Sequence, residues 1–168
     1  WEVDAKAVND AVHEAFSRWR VWRMYADPPE WQSELMEWTA KYSPEKVQDW
    51  YTRRTIEMGR ALLEYRKAMI DGAVTHDGDP VFTSHIANAV KKDSTLWDEA
   101  GTARIWTIYK ERQASPFKID AAIAGALSWK ARLDAIEMRV GNQEASDPDY
   151  LTLDDGKPEF STALAKEF

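Results

Sequence analysis

The chain has 168 residues, of which 44% are hydrophobic and 30% are charged, and these proportions indicate a globular protein rather than a disordered segment. Its net charge of −7 argues against a general nucleic-acid coat protein, because affinity for phosphates comes mainly from Lys and Arg. The sequence lacks cysteine, which excludes disulfides and thiolate zinc sites, and it lacks an apolar run of the roughly 18 residues that span a bilayer. We therefore expect an intracellular protein.

The first part of the chain predicts two helices and two short strands. Apolar residues recur on one helical face over residues 5–19, and Asp4 precedes them as a candidate N-cap. Residues 21–26 have strand composition, and an Asp-Pro-Pro sequence ends this strand. The apolar face of the next helix is formed by Trp31, Leu35, Trp38 and Tyr42. Residues 47–51 then predict a second strand.

Residues 52–90 predict two more helices. The apolar face of the first is formed by Ile56, Leu63 and Ile70, with Leu62 and Met69 beside them. Gly72 is in the position expected just after a helix. The segment THDGDP has the composition of a turn, and Ser84 is a candidate N-cap for the short helix that follows.

The rest of the chain predicts one strand and one long helix. Residues 91–104 are polar and indicate a loop, whereas IWTIY at 105–109 has the highest strand propensity in the sequence. A helix rich in Ala and Gly follows, from residue 120 to about 139. Residues 141–168 have turn composition and predict a surface tail. Alternating helices and strands indicate an α/β layered fold with a small, partly parallel sheet.

Asp120, in the sequence SPFKIDAAIAGALSWKA, has two interpretations. Aspartate is a favoured helix N-cap, and this is the simpler one. The other is a metal ligand, which requires a second carboxylate, and Asp27 qualifies because it follows a predicted strand, where α/β sheets present ligands. Two carboxylates suit a hard cation such as Mg²⁺, and paired cations drive phosphodiester hydrolysis. Both interpretations stay open on the residues alone.

Other familiar chemistry has little support. The sequence lacks His-Glu-x-x-His, Gly-x-Ser-x-Gly and Walker A patterns, which argues against a zinc peptidase, a serine hydrolase and a P-loop ATPase. His85 is expected at the surface, and the acidic residues of THDGDP fit a turn better than a metal site. The basic residues Arg53, Arg54 and Lys118 are candidate contacts to a DNA backbone, although such residues are more often ordinary solvated surface.

Three segments of the sequence resemble the C-terminal part of phage terminase large subunits, most closely those of tailed phages of actinobacteria. They are VWRMYADPPEWQSELMEW, GAVTHDGDPVFTSHIANAV and IYKERQASPFKIDAAIAGALSWKAR, in this order and with similar spacing. The most specific element is Lys118-Ile119-Asp120 before an Ala-rich helix, followed by Asp27 in a Tyr-Ala-Asp-Pro context. The resemblance covers about residues 1–139.

This resemblance implies a nuclease domain with an RNase H-like fold, which cuts concatemeric double-stranded DNA during genome packaging. It implies that Asp27 and Asp120 are catalytic ligands of Mg²⁺ or Mn²⁺, with His76 and Asn88 in supporting positions. It further implies a terminase motor domain, a small subunit and a portal as partners, in the cytoplasm of a bacterial host.

The sequence departs from the family's pattern in two ways. It contains neither the motor nor the first nuclease strand, which carries the first metal-binding aspartate, and Asp4 does not fit that role because it precedes a helix. The resemblance therefore implies a partial nuclease domain over 1–140, with an incomplete two-metal site, no ATP site and weak activity by itself. The rival hypothesis is a non-enzymatic RNase H-like remnant or interaction module from a prophage, which binds a partner through its aromatic surface. In a third, the chain is an unrelated α/β domain and Asp120 only caps a helix.

Overall fold

A computed structural model of the chain describes residues 3–29, 31–98, 100–112 and 114–140. The helices of this part of the chain are α1 (Ala5–Arg18), α2 (Gln32–Tyr42), α3 (Thr55–Ile70), α4 (Pro80–Ala87) and α5 (Asp120–Glu137). The strands are β1 (Met24–Ala26) and β2 (Val47–Asp49) before α3, then β3 (Val90–Trp97) and β4 (Arg104–Tyr109) between α4 and α5. The protein is therefore of mixed α/β class, as the sequence predicted.

The chain forms two compact units, one ending at Tyr51 and the other beginning at Thr52. Each unit contains its own two-stranded sheet: β1 and β2 are parallel, whereas β3 and β4 are antiparallel. The prediction of one small, partly parallel sheet is therefore wrong. Among the helices of the described ranges, none is long and apolar enough to cross a membrane. The predicted tail at 141–168 lies outside these ranges.

In the N-terminal unit, α1 begins as the sequence predicted. The carboxylate of Asp4 accepts hydrogen bonds from the amides of Lys6 (3.0 Å) and Ala7 (3.3 Å), which have no partner within the helix. Strands β1 and β2 pair in parallel with Met24 opposite Val47, and α2 connects them. This βαβ arrangement is the usual way to bring two consecutive strands into parallel pairing.

The core of the N-terminal unit follows the apolar face predicted for α2. Leu35, Trp38 and Val47 are each 4% exposed. The Trp38 indole donates a hydrogen bond of 2.6 Å to the Asn9 side chain, so its polar atom is satisfied where the ring is buried. The apolar side chains that pack against this cluster are Val8, Val12, Phe16, Met24, Ala26, Trp31 and Tyr42.

In the C-terminal unit, the buried face of α3 includes Leu62 from the predicted set but not the three residues that were expected to form its centre. Ile56, Leu63 and Ile70 are 38–49% exposed. The buried residues of the helix are Met58, Gly59, Ala61, Leu62, Tyr65 and Ala68. Small residues let α3 approach β4 closely, since a Cβ atom at Gly59 would lie 2.9 Å from the Trp106 carbonyl oxygen. The larger side chains of Ile56, Leu63 and Ile70 would prevent this approach if they faced β4.

Strand β4 was predicted correctly, and β3 was not. The residues of β4 from Ile105 to Ile108 are buried, in keeping with their apolar composition. Strand β3 is exposed along nearly its whole length, although it pairs with β4 from Val90 opposite Tyr109 to Trp97 opposite Arg104. Its polar composition reflects this exposure, because pairing to β4 and not burial of its own side chains makes the segment a strand.

Candidate functional site

Helix α4 begins earlier than predicted, at the last residue of the segment THDGDP. Its N-cap is Asp79, whose carboxylate accepts a hydrogen bond of 2.7 Å from the Phe82 amide, and Pro80 occupies the first helical position. Gly78 precedes the cap with a φ of +80°, which few other residues adopt. Ser84 lies inside the helix, and its hydroxyl donates to the Val81 carbonyl (2.8 Å). The prediction of a start at Ser84 is therefore wrong.

Helix α5 begins at Asp120, but Asp120 is not its cap. The N-cap position belongs to Ile119, which is 8% exposed and cannot accept a hydrogen bond through its side chain. Asp120 is the first residue within the helix and is exposed. Its carboxylate has no hydrogen bond or ion pair with any residue that the structure describes. The simpler of the two interpretations of Asp120 is therefore wrong.

The cap of α5 comes instead from α4. The Ala121 amide, in the first turn of α5, donates a hydrogen bond of 3.0 Å to Nδ1 of His85. This bond satisfies one of the amides that lack a partner at a helix N-terminus. Because Nδ1 accepts it, the proton of the neutral imidazole is on Nε2. His85 is half-buried, so its prediction as a surface residue is also wrong.

A second hydrogen bond links α4 to the segment before α5. Asn88, the C-cap residue of α4, donates from its side-chain amide to the Lys118 carbonyl oxygen at 3.1 Å. The bonds from Asn88 and His85 fix the backbone on both sides of Asp120, at residues 118 and 121. Helix α4 therefore holds the start of α5 in place, and the Asp120 carboxylate takes no part in capping the helix.

His76 lies in the segment before α4 and lines a pocket together with residues of α5. Its Nδ1 accepts a hydrogen bond of 3.0 Å from the Gly78 amide, and its ring centroid is 5.2 Å from that of Phe82. It lines a pocket beside Gly125, which is about one and a half helical turns beyond Asp120. Of the two residues expected in supporting positions, Asn88 is bonded to the segment before Asp120, whereas His76 is bonded to Gly78 and lies against Phe82.

Asp27 follows β1 directly, as predicted, at the carboxyl end of a strand that is part of a parallel pair. It is half-buried and interacts with other residues of the protein. Asp27 belongs to the N-terminal unit, and Asp120 belongs to the C-terminal unit. That their carboxylates converge on one site therefore stays a prediction.

The basic candidates lie at two helix starts of the C-terminal unit. Arg53 and Arg54 are exposed, and Arg54 occupies the N-cap position of α3. Lys118 is half-buried two residues before α5. These positions give each side chain access to solvent, as contact with a phosphate backbone requires.

The described side chains near Asp120 supply some, but not all, of the ligands that a divalent cation needs. Within the described ranges there is no group of three or more His, Asp or Glu side chains that could hold a metal ion. Asp120 supplies the hard oxygen donors that Mg²⁺ and Mn²⁺ prefer. A cation there would complete its shell with water or with substrate oxygens.

The sequence is similar to two phage proteins. It is 30% identical over 142 residues to the Gene 13 protein of Mycobacterium phage D29, and 28% identical over 142 residues to the Gene 13 protein of Mycobacterium phage L5. Each alignment covers 79% of this chain but 23% of the relative, so the chain spans less than a quarter of the length of the curated relatives it matches. No family model and no solved structure matches the sequence.

Proposed function

We propose that the chain is part of the metal-dependent nuclease domain of a phage terminase large subunit, with an RNase H-like fold. In this role it contributes to cutting concatemeric double-stranded DNA during genome packaging, in the cytoplasm of a bacterial host. Similarity to mycobacteriophage proteins about four times as long supports a domain of a larger phage protein. One structural observation carries the proposal: the Asp120 carboxylate is exposed and unpaired, while the backbone around it is fixed by α4.

The fixed backbone around Asp120 supports the proposal that Asp120 is a ligand and not only part of a helix start. A carboxylate in the first turn interacts favourably with the helix dipole, by about 0.3–1 kcal/mol. That interaction does not depend on an exact position of the carboxylate, so it does not require hydrogen bonds that fix the backbone on both sides of the residue. A metal ligand does require it, because the productive position must be held within about 0.5 Å. His85 and Asn88 supply such ties at residues 121 and 118.

The proposed chemistry assigns a role to each group of residues. Asp27 and Asp120 would hold Mg²⁺ or Mn²⁺, which when bound supply an activated water and stabilise the leaving oxygen. Arg53, Arg54 and Lys118 would contact phosphates, which position DNA without reading its sequence, so low sequence specificity is expected. A motor domain, a small subunit and a portal would be the partners of the complete protein.

Cation binding at Asp120 is the most direct test. We expect Mn²⁺, added to the isotope-labelled chain, to broaden the backbone amide NMR signals of residues 118–122, and excess Mg²⁺ to reverse the broadening. Asp120→Asn should weaken this effect at least tenfold, since loss of even an outer partner of a ligand costs about 10–100-fold in affinity. Asp79→Asn is the matched control, because asparagine also caps helices and Asp79 is assigned no ligand role. Broadening that survives Asp120→Asn would reject the metal site.

Hydrolysis is tested by nicking of supercoiled plasmid DNA with Mn²⁺. The chain should nick slowly, and Asp27→Asn and Asp120→Asn should each reduce the rate at least about 100-fold, the upper cost of losing an outer partner of a ligand. The Asp79→Asn control should nick at the rate of the unchanged chain. Equal rates for the Asp120→Asn variant and the unchanged chain would contradict the nuclease assignment.

A second candidate, a non-enzymatic interaction module, is favoured by the exposed surface of the β3–β4 ribbon. Leu96, Trp97 and Tyr109 on this ribbon are 42–52% exposed, so large apolar side chains are accessible to a partner at both of its ends. In this role, binding of a partner would be independent of Mn²⁺ and unchanged by Asp120→Asn. A folded chain that neither binds Mn²⁺ at Asp120 nor nicks DNA would favour the module over the nuclease.

A further inference from the structure

A pocket of about 320 Å³ opens in the C-terminal unit, away from Asp120. One wall is a face of α5 that presents Gly125, Ser128, Trp129 and Arg132, which recur at the three- and four-residue spacing of one helical face. The other walls are formed by Tyr65 of α3, by residues 73–76 and by Phe82 of α4. Its volume is at the lower end of the range of about 300–1,000 Å³ found for small-molecule sites.

The Tyr65 hydroxyl is a polar group in this pocket without a protein partner. The residue is only 4% exposed, yet its hydroxyl has no hydrogen bond to any of the described residues. Tyrosines that are largely buried usually have such a partner, whereas the Tyr65 hydroxyl is accessible to solvent at the pocket. Burial raises the pKa of Tyr65 to about 12, so the hydroxyl is protonated and can donate at neutral pH. A polar atom of a ligand would supply the missing partner.

Gly125 makes room for this hydroxyl on the surface of α5. A Cβ atom at position 125 would lie 2.5 Å from the Tyr65 hydroxyl oxygen and 2.9 Å from the ring carbon that bears it. Any larger residue would therefore displace the phenol ring. Both residues line the pocket, so the absence of a side chain at 125 keeps the hydroxyl at the pocket wall.

Aromatic rings and one cation form the rest of the lining. The guanidinium of Arg132 is 4.5 Å from the centroid of the Trp129 ring, and it forms no ion pair with another residue that the structure describes. On the opposite wall, the rings of His76 and Phe82 contact each other. The pocket thus combines flat apolar surfaces with a hydroxyl donor and an available positive charge.

We propose that this pocket binds a single unpaired nucleotide. The base would stack against the aromatic rings of Trp129 and Phe82 and accept a hydrogen bond from Tyr65, and Arg132 would pair with the phosphate. Each part of the ligand matches a part of the lining: aromatic platforms stack any base, a hydroxyl donor serves a base edge, and a guanidinium binds phosphate. The volume limits the site to one nucleotide. This inference does not depend on Asp27 or Asp120.

The ligand class is tested by NMR titration of the full chain with dAMP, following the tryptophan indole and backbone amide signals. We expect dAMP to shift the signals of Gly125, Trp129 and Arg132. Deoxyadenosine, which lacks the phosphate, and deoxyribose 5-phosphate, which lacks the base, should each bind at least tenfold more weakly. Equal binding of dAMP and deoxyribose 5-phosphate would overturn the proposal, because it would show an anion site without base recognition.

Matched variants test the residues. Tyr65→Phe removes only the unpaired hydroxyl, and Arg132→Gln removes only the positive charge, so each should weaken dAMP binding at least fivefold. Arg104→Gln is the control, since Arg104 also lies over a tryptophan, 5.4 Å from the Trp97 ring, but outside the pocket. Unchanged dAMP affinity in both pocket variants, or absence of any binding to the folded chain, would overturn the proposal.

The nucleotide in the pocket could belong to the end of a DNA strand or be free in solution, and comparing dAMP with a short single-stranded oligonucleotide distinguishes these two ligands. If the site accepts the end of a DNA strand, the oligonucleotide binds more tightly than dAMP and loses this advantage in Arg132→Gln but not in Arg104→Gln. If the site accepts free nucleotides, dAMP binds at least as tightly. Both affinities are measured without a divalent cation, so failure of this proposal is distinguishable from failure of the nuclease assignment.

Discussion

At the N-terminus of α4, the Asp79 carboxylate accepts a hydrogen bond from the Phe82 amide of its own helix. At the N-terminus of α5, the Ala121 amide is instead bonded to His85 of α4, and the nearby Asp120 carboxylate is left exposed. Both helices begin beside an aspartate, but only the first aspartate is a cap. The difference shows that α5 does not need the Asp120 carboxylate in order to start.

The residue before each aspartate explains part of this difference. Asp79 is preceded by Gly78, whose positive φ turns the chain, and is followed by Pro80, which is preorganised for the first helical position. Asp120 is preceded by Ile119, and burial of that apolar side chain places it at the N-cap position. Asp120 is thereby moved into the first turn, where its side chain cannot act as an N-cap. A carboxylate in this position is available for another purpose.

Replacing His85 with alanine should have the largest effect on stability among the residues at these two helix starts. It leaves the Ala121 amide without its partner and removes one of two ties between α4 and α5. An unsatisfied donor of this kind costs about 1–3 kcal/mol, so we expect the free energy of unfolding to fall by about 2 kcal/mol. Urea unfolding, followed by circular dichroism, measures this change.

His85→Asn is the matched control for this prediction. The asparagine side chain places an acceptor oxygen near the position of Nδ1, so it should restore at least half of the stability lost in His85→Ala. If alanine and asparagine are equally destabilising, the packing of the imidazole ring and not its hydrogen bond holds α4 against α5. If neither variant is destabilised, the start of α5 is stable without a cap from α4, and the comparison of the two helices fails.

Replacing Asp79 with alanine should cost less, about 1 kcal/mol, which is typical for loss of an N-cap. The Phe82 amide loses its acceptor, but it lies at an exposed helix start where water can replace the carboxylate. Asp79→Asn should retain nearly all of the stability, because asparagine is as good a cap as aspartate. An equal loss in both variants would show that the charge of Asp79, and not its capping bond, stabilises α4.

The sequence predicted most clearly those features that local residues determine. The structure confirms the Asp4 cap of α1, the position of β4 and the extent of α5, which were predicted from capping chemistry, strand propensity and Ala-rich composition. Strand β3 escaped prediction because its identity depends on pairing with β4 and not on its own polar side chains.

The candidate site shows the same limit. The candidate ligand Asp120 was found from the sequence, but the cap of α5 was not, because His85 and Ala121 are 36 residues apart. A histidine on a short helix carries no local signal of a partner so distant in the sequence. The pocket beside Tyr65 was missed for a similar reason, since Gly125 and Tyr65 meet only when α3 and α5 pack together.

Asp120→Asn should have the smallest effect on stability of the three helix-start substitutions. It removes a charge from the first turn of α5 without removing a hydrogen bond, so the free energy of unfolding should change by no more than about 0.5 kcal/mol, within the low range of helix-dipole interactions. A loss as large as that of Asp79→Ala, in the same urea titration, would show that the carboxylate stabilises α5 after all. A negligible loss of stability, together with loss of Mn²⁺ binding, would show that the two aspartates differ in role, with Asp79 stabilising its helix and Asp120 binding a cation.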